Sequence, residues 1–299
     1  MSKTIYALGF FDGVHIGHRA LLHQCQTLAK ALRCQAGVVT FDTHPQTLVA
    51  GNAPGLICST SDRERLLRST YHMDRVITLP FDEKMRSMPW LDFLTLLREK
   101  YNGVGFVCGT DFRFGHRGQG NAELLQDYCT RENLPFAVVP EQLLDGIRVS
   151  STYIRRQLET GDMATAVRFL GHPHILTGTV VAGKQLGRKL GIPTANLLLT
   201  EGLTVPRFGV YACRVFLDGT YYPAVTNIGV RPTVSGSGIT VEPWILDYSG
   251  DLYGREITLE FFHFLRPEQK FPSLEALKQQ IHADAIQSRD LLETYKGIF

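Results

Sequence analysis

The sequence predicts two domains of different texture: a parallel, doubly wound α/β half, then a closed or nearly closed β-barrel with a terminal helix. Three observations carry this. Short apolar strands alternate with helical periodicity through the first half of the chain. From Leu176 the pattern changes to short, partly alternating strands separated by Gly or Pro. Residues 273–295 return to helical spacing. The boundary falls near residues 171–177, so the expected domains are 1–171 and 176–299.

Taken in order, Ile5 to Leu8 is a short apolar run that reads as a buried strand, with Gly9 and Gly13 punctuating the turn after it. From Ile16, the positions Leu21, Leu22, Cys25, Leu28, Ala29 and Leu32 recur at helical spacing. Ala36 to Phe41 is a β-branched strand, broken by Asp42-Thr43-His44-Pro45. A helix is expected near Ser61, a strand at Val76 to Leu79, and a helix capped by Ser87 and running through Trp90, Phe93 and Leu97. Val104 to Cys108, Ala122 to Cys129 and Phe136 to Val139 continue the rhythm as strand, helix and strand. Val149 to Arg155 opens a further helix, and Asp162 to Leu170 another, stopped by Gly171 and Pro173. The barrel strands are read as Leu176–Val181, Ala195–Leu199, Val210–Phe216, Tyr221–Thr226, Thr240–Leu246 and Glu256–Phe264, with a last helix from Ser273 to Tyr295.

Composition excludes several classes. The 299 residues are 44% hydrophobic and 20% charged, enough apolar content for a sizeable core. A net charge of +2 is too balanced for a nucleic-acid scaffold, so no nucleic-acid partner is expected. No apolar run approaches the roughly 20 residues that cross a bilayer, and no membrane partner is expected. The start, Met-Ser-Lys-Thr-Ile, lacks a signal peptide's apolar core. The six cysteines show no C-x-x-C spacing and read as reduced core thiols, which points to the cytoplasm. No oligomeric state is read from the sequence.

The unusual segments gather where a parallel sheet binds ligands. Gly9–His18, Thr40–Pro45 and Gly109–Gly115 each follow the expected end of a strand, and open α/β sheets bind ligands just beyond the carboxyl ends of their strands. His15 and His18 stand at a strand–turn–helix junction, where backbone N–H groups and the helix dipole favour phosphate. Imidazolium or neutral N–H groups there suit the charged oxygens of a nucleotide as pyrophosphate leaves. The bland alternative is a pair of solvated histidines at a helix start. Against it, the whole string matches the H-x-G-H signature of nucleotidyltransferases. Ser150, Ser151 and Thr152 supply hydroxyls that cap a helix or bind phosphate, and Arg155 suits an anion.

The phrases GFFDGVHIGH, TFDTHP, GTDFRFG and VSSTYIR, in this order, resemble the adenylyltransferase half of the prokaryotic-type bifunctional riboflavin kinase/FAD synthetase family. The resemblance implies a Rossmann-like nucleotidyltransferase domain. It implies ATP contacts from Gly9, Phe10, Phe11, His15, His18, Ser151, Thr152 and Arg155, with His15 and His18 catalytic. Thr40, His44 and Asp111 would border the FMN side.

A second constellation runs from Gly183 to Asn196, GKQLGRKLGIPTAN. Its glycines let backbone approach a ligand closely, and Lys184, Arg188 and Lys189 offset phosphate charge. Thr194 offers a hydroxyl and Asn196 a carbonyl, both hard oxygen ligands suited to Mg²⁺. It is not a Walker A loop, and the residues alone leave an ordinary hairpin open. This segment, with NIGVRPTV, TVEPWILD, GDLYG and LRPEQKF, resembles the riboflavin kinase barrel of the same family. The resemblance implies an ATP site at Gly183, Lys184, Gly187, Arg188, Gly191, Thr194 and Asn196. Thr194 and Asn196 would serve Mg²⁺, Glu242 would be the catalytic base, and Arg289 would stand on the flavin side. A carboxylate suits a primary hydroxyl that loses its proton as it attacks the γ-phosphate. Trp244 stands where many relatives carry histidine.

The expected activity is ATP-dependent phosphorylation of riboflavin to FMN, then transfer of AMP from a second ATP to FMN, giving FAD and pyrophosphate. Riboflavin, FMN, FAD and ATP are the expected partners. The rival readings are a flavin-binding regulator without turnover, and a single-activity nucleotidyltransferase with an accessory barrel.

Overall fold

The structure is a computed structural model that describes residues 2–46, 54–183, 187, 191–233 and 236–295. Contacts divide the chain into two units, Met1–Leu56 with Thr60–Ser151, and Ile57–Ser59 with Thr152–Phe299.

In the first unit the chain runs β1 (Thr4–Leu8), α1 (Ile16–Ala31), β2 (Gln35–Phe41), α2 (Thr60–Arg65), β3 (Arg75–Leu79), α3 (Glu83–Ser87), α4 (Trp90–Glu99) and β4 (Gly103–Gly109). The short strands β5 (Arg113–Phe114) and β6 (Gly120–Asn121) follow, then α5 (Ala122–Arg131) and β7 (Phe136–Val139). A small hairpin, β8 (Leu143–Leu144) and β9 (Ile147–Arg148), completes the unit. The main sheet is parallel, in the order β3-β2-β1-β4-β7. All five residues of β1 are buried, as a strand covered on both faces requires. Tyr6 and Leu8 pack with Phe93, Leu94 and Leu97 of α4 and Leu125 of α5 in one core, while α1 covers the sheet from its own side. The strand order reverses between β1 and β4, so the loops after these two strands flank the sheet's switch point.

Next come α6 (Ser151–Thr160), whose first residue the contact division leaves with the first unit, and α7 (Met163–Leu170) of the second. Six antiparallel strands follow: β10 (His174–Val181), β11 (Asn196–Leu199), β12 (Gly209–Leu217), β13 (Thr220–Thr233), β14 (Gly236–Ile245) and β15 (Glu256–Arg266). They close a barrel in the order β10-β11-β14-β13-β12-β15. The terminal helix α8 (Leu274–Glu293) packs on β12, β13 and β15. Its N-terminus is capped by Ser273, whose hydroxyl accepts from the Ala276 N–H at 3.1 Å.

Several local readings change. Ser87 ends α3 rather than capping the next helix. Asp82 caps α3, accepting from the Met85 N–H at 2.8 Å, and α4 starts directly after Pro89. Pro89 fixes an extended entry without needing a donor of its own. Strand β13 runs seven residues beyond the expected Thr226, because the phrase that follows continues the ladder with β14 as far as Thr233. The contact division falls between Ser151 and Thr152, after the first residue of α6. Helix α7 buries Ala166, Val167, Phe169 and Leu170 and packs on β10 and β15, so the change in strand texture and the division of contacts fall at different places.

Candidate active sites

The first site is a cleft at the switch point of the parallel sheet. The loop after β1 enters it through an unusual backbone. Phe11 is left-handed at φ 60° although nearly fully buried, and Gly13 and Val14 follow at φ 75° and 39°. Such geometry persists only where the surroundings impose it. Here Thr40, fully buried on β2, donates its hydroxyl to the Phe10 carbonyl at 2.7 Å, and the His44 ring stands edge-on to Phe10 at 4.6 Å. The fully buried Arg63 lies 4.4 Å from the Phe10 ring and donates to the Phe41 carbonyl.

The loop delivers His15 to the N-cap of α1, where its Nδ1 accepts from the His18 N–H at 3.2 Å. Accepting at Nδ1 fixes the tautomer: the ring proton sits on Nε2, a donor at a helix N-terminus. The two imidazoles stack at 3.6 Å with planes 12° apart. Burial, with smaller contributions from His15 and Arg63, pushes the His18 pKa well below the usual range, and its buried Nδ1 has no hydrogen-bond partner. His18 is therefore a neutral imidazole, and the choice left open in the sequence between imidazolium and neutral N–H resolves to neutral for this ring. Stacking two cations at this spacing would be costly.

The cleft measures about 500 Å³. Gly9, Phe10, Phe11, His15, His18 and Ser151 all line it, as do His44 and Asp111. Ser151, the last residue of the first unit, donates to the Asp12 carbonyl in the loop after β1 at 3.0 Å. Thr40 does not line the cleft; its hydroxyl is turned inward, where it holds Phe10. Thr152 and Arg155 belong to the other unit and are not lining residues either. Sequence reading missed Arg148, whose guanidinium bridges Asp111 and Glu141 at 2.8 Å each and lines the cleft. It stands directly before the VSSTYIR phrase, a position that could have drawn attention. A second, aromatic cavity of about 500 Å³, walled by Phe41, Phe81, Met85, Met88, Phe93 and Phe114, shares Phe41, Pro45 and Arg113 with the cleft.

The second site lies within the barrel unit. A cavity of about 600 Å³ is lined by Gly187, Thr194 and Asn196, by Glu242 and Trp244 of β14, and by residues of α8. Glu242 and Trp244, two apart, leave β14 on the same face. Thr194 pairs with Trp244 through a backbone bridge, and the Ala195 N–H donates to the Pro243 carbonyl at 2.9 Å, which fixes the Thr-Ala-Asn segment against the strand carrying Glu242. The glycines have a packing reason: a Cβ at Gly183 would run into the Asn196 amide, and one at Gly187 into the Ile192 carbonyl. A neighbouring cavity of about 380 Å³ shares Thr194 and is walled by Gly191, Pro193, Tyr248, Asp251 and Tyr253. Thr194 thus stands where two cavities meet.

Lys184, Arg188 and Lys189 lie outside the described residues. Arg289 does not line the large cavity; Asp247 holds its guanidinium in a bidentate pair at 2.6 and 2.8 Å. Sequence reading missed Asn227, Arg266, Glu268 and Asp284, all of which line the cavity. Arg266 and Asp284 form a bidentate pair at 2.7–3.1 Å that joins the end of β15 to α8.

The described residues contain no group of three or more His, Cys, Asp or Glu able to hold a metal ion. The Thr194 hydroxyl where the two cavities meet and the Asn196 amide carbonyl on the wall of the larger one are oxygen donors of the kind that bind Mg²⁺, an ion that needs only one or two protein oxygens beside phosphate and water.

A family model described as FAD synthetase matches residues 1–153, and one described as riboflavin kinase matches residues 170–292. A bifunctional riboflavin kinase/FMN adenylyltransferase from Pseudomonas fluorescens is 38% identical over 96% of this chain and 92% of that protein. One from Escherichia coli K12 is 36% identical over the same shares. A crystal structure described as a macrolide-efflux protein from Streptococcus pneumoniae matches with a TM-score of 0.86 and 29% identity, over 96% of this chain and 94% of that one. Among the described residues no helix is long and apolar enough to cross a membrane.

Proposed function

The chain belongs to the bifunctional riboflavin kinase/FMN adenylyltransferase family, and from that premise we propose that it makes FMN from riboflavin and ATP, and FAD from FMN and a second ATP. The observation that carries the reading is that each unit holds its own complete cavity, one built around His15 and His18, the other around Thr194, Asn196 and Glu242. Adenylyl transfer is assigned to residues 1–171 and phosphorylation to residues 176–299.

In the barrel, the large cavity takes the flavin and the neighbouring one takes ATP, so the γ-phosphate comes to Thr194. Thr194 and Asn196 would hold Mg²⁺, which when bound would neutralise phosphate charge. Glu242 accepts the proton of the terminal ribityl hydroxyl as that oxygen bonds to the γ-phosphorus and ADP leaves. In the cleft, an FMN phosphate oxygen attacks the α-phosphorus of ATP and pyrophosphate leaves. The nucleophile is already ionised, so the protein's work is positioning and charge stabilisation. His15, through its Nε2–H, and the neutral His18 donate hydrogen bonds to the triphosphate at the start of α1. The aromatic cavity beside the cleft, close to His44 and Asp111, suits the isoalloxazine ring. All six cysteines are free thiols, which supports work in the cytoplasm.

The test is product analysis. Purified protein with riboflavin and Mg-ATP should yield FMN first and FAD after it. Riboflavin that binds but stays unchanged would refute the reading in favour of a regulator, and adenylylation of added FMN without kinase activity would leave a single-activity enzyme.

A further inference from the structure

We propose that Tyr71 is a positioning residue for adenylyl transfer, its hydroxyl holding the peptide that joins Val14 to His15; the inference rests on the reading of the cleft as the site that makes FAD. The Tyr71 Oη donates to the Val14 carbonyl at 3.0 Å. That carbonyl belongs to the same planar unit as the His15 N–H, so the bond acts directly on the backbone that carries the imidazole. Burial pushes the Tyr71 pKa up to about 12, so the phenol stays a donor throughout the neutral range.

Val14 is the residue that needs holding. It is β-branched, fully buried and left-handed at φ 39°. Glycine takes such a backbone freely, but a β-branched side chain does not. Released, Val14 would relax toward negative φ. His15 would then leave the N-cap of α1, where its Nδ1 accepts from the His18 N–H at 3.2 Å.

The loop after β1 is held at alternate carbonyls. Thr40 of β2 donates to Phe10, Ser151 to Asp12 and Tyr71 to Val14, at 2.7, 3.0 and 3.0 Å. The first two fix the approach to the strained turn, and the third fixes the exit, next to His15. The fold delivers Tyr71 to this place by an unusual route. Helix α2 runs into a single π-helical turn, Leu66–Thr70, closed by the Tyr71 N–H on the Leu66 carbonyl at 3.0 Å. Such turns recur at functional sites. The Tyr71 carbonyl in turn accepts from the Gln26 Nε2 of α1 at 2.7 Å. Tyr71 is thus tied to the body of α1 by its backbone and to the entry of α1 by its hydroxyl. It does not line the cleft, so its influence on the triphosphate passes through His15.

Full-length Tyr71→Phe, Val14→Gly and the double variant should be assayed for FAD formation from added FMN. Tyr71→Phe keeps the ring and loses only the hydroxyl. Its kcat should fall about tenfold, with the KM values for ATP and FMN within about twofold of the parent. Glycine at position 14 takes the left-handed backbone without a clamp, so adding Tyr71→Phe to Val14→Gly should lower kcat by less than about twofold. A merely structural role would give the same factor in both backgrounds. Amide hydrogen exchange reads the event without turnover. The His18 N–H should exchange about tenfold faster in Tyr71→Phe, while the amides of β1 exchange as in the parent. This measurement decides even where Val14→Gly does not fold. An unchanged kcat or His18 exchange rate in Tyr71→Phe, a rise in KM alone, or an equal factor in the two backgrounds would each overturn the proposal. A parent protein that makes no FAD from FMN would overturn the reading of the cleft itself, and this inference with it.

Discussion

His174 begins β10 fully buried, with neither ring nitrogen hydrogen-bonded. Its ring lies 5.8 Å from that of Phe261. Burial, reinforced by the neighbouring His172, lowers its pKa from 6.5 to about 3. The consequence for stability has a definite sign. The unfolded chain takes up this proton as pH falls through about 6.5, while the folded barrel refuses it until about 3. Stability is therefore lost progressively across that window and no further below it. Each pH unit inside the window costs about 1.4 kcal/mol, so by pH 5 the cost is about 2 kcal/mol. His174→Leu has no proton to accept and should escape it. The assay is urea unfolding at pH 8 and pH 5 in a Trp90→Phe background, so that Trp244 reports on the barrel unit alone. Between the two values the histidine form should lose about 2 kcal/mol more than the leucine form. Equal losses would show that His174 gains a partner or water on protonation, and would refute the argument from burial.

Replacing both His15 and His18 with alanine should lower FAD formation from added FMN by on the order of a hundredfold or more, while riboflavin phosphorylation stays near the parent rate; assays of the two half-reactions on one preparation decide it. Gly183→Ala should push the Asn196 amide aside and so raise the ATP KM and lower the kcat of the kinase, with FMN adenylylation unchanged; steady-state kinetics at varied Mg-ATP check this.

The parts that were legible in the sequence depend on neighbours along the chain. The apolar run Ile5–Leu8, the helical spacing after Ile16 and the H-x-G-H string are all local, and they fold as one β1–loop–α1 unit that puts His15 on an N-cap. The Thr-Ala-Asn segment and Glu242 were legible through family phrases, and the structure brings them to one cavity. What spacing does not give is where a side chain points. Thr40 lies in a conspicuous phrase, yet strand alternation turns its hydroxyl into the core. Arg289 looked like a cation reaching for the flavin side, but Asp247, 42 positions away in sequence, occupies it. Arg148, Asn227, Glu268 and Asp284 went unremarked for the same reason. Their roles arise from hairpin placement, cross-strand register and pairings across the unit, none of which follows from spacing.

The central claim is that two separate sites perform two reactions, with Glu242 serving one of them. The most direct measurement is the rate of both half-reactions in Glu242→Gln, which keeps the size of the side chain but is a very poor base. Riboflavin phosphorylation should fall by roughly a hundred- to ten-thousandfold, riboflavin binding should change little, and FAD synthesis from added FMN should continue at the parent rate. A kinase rate within a few-fold of the parent would contradict the account.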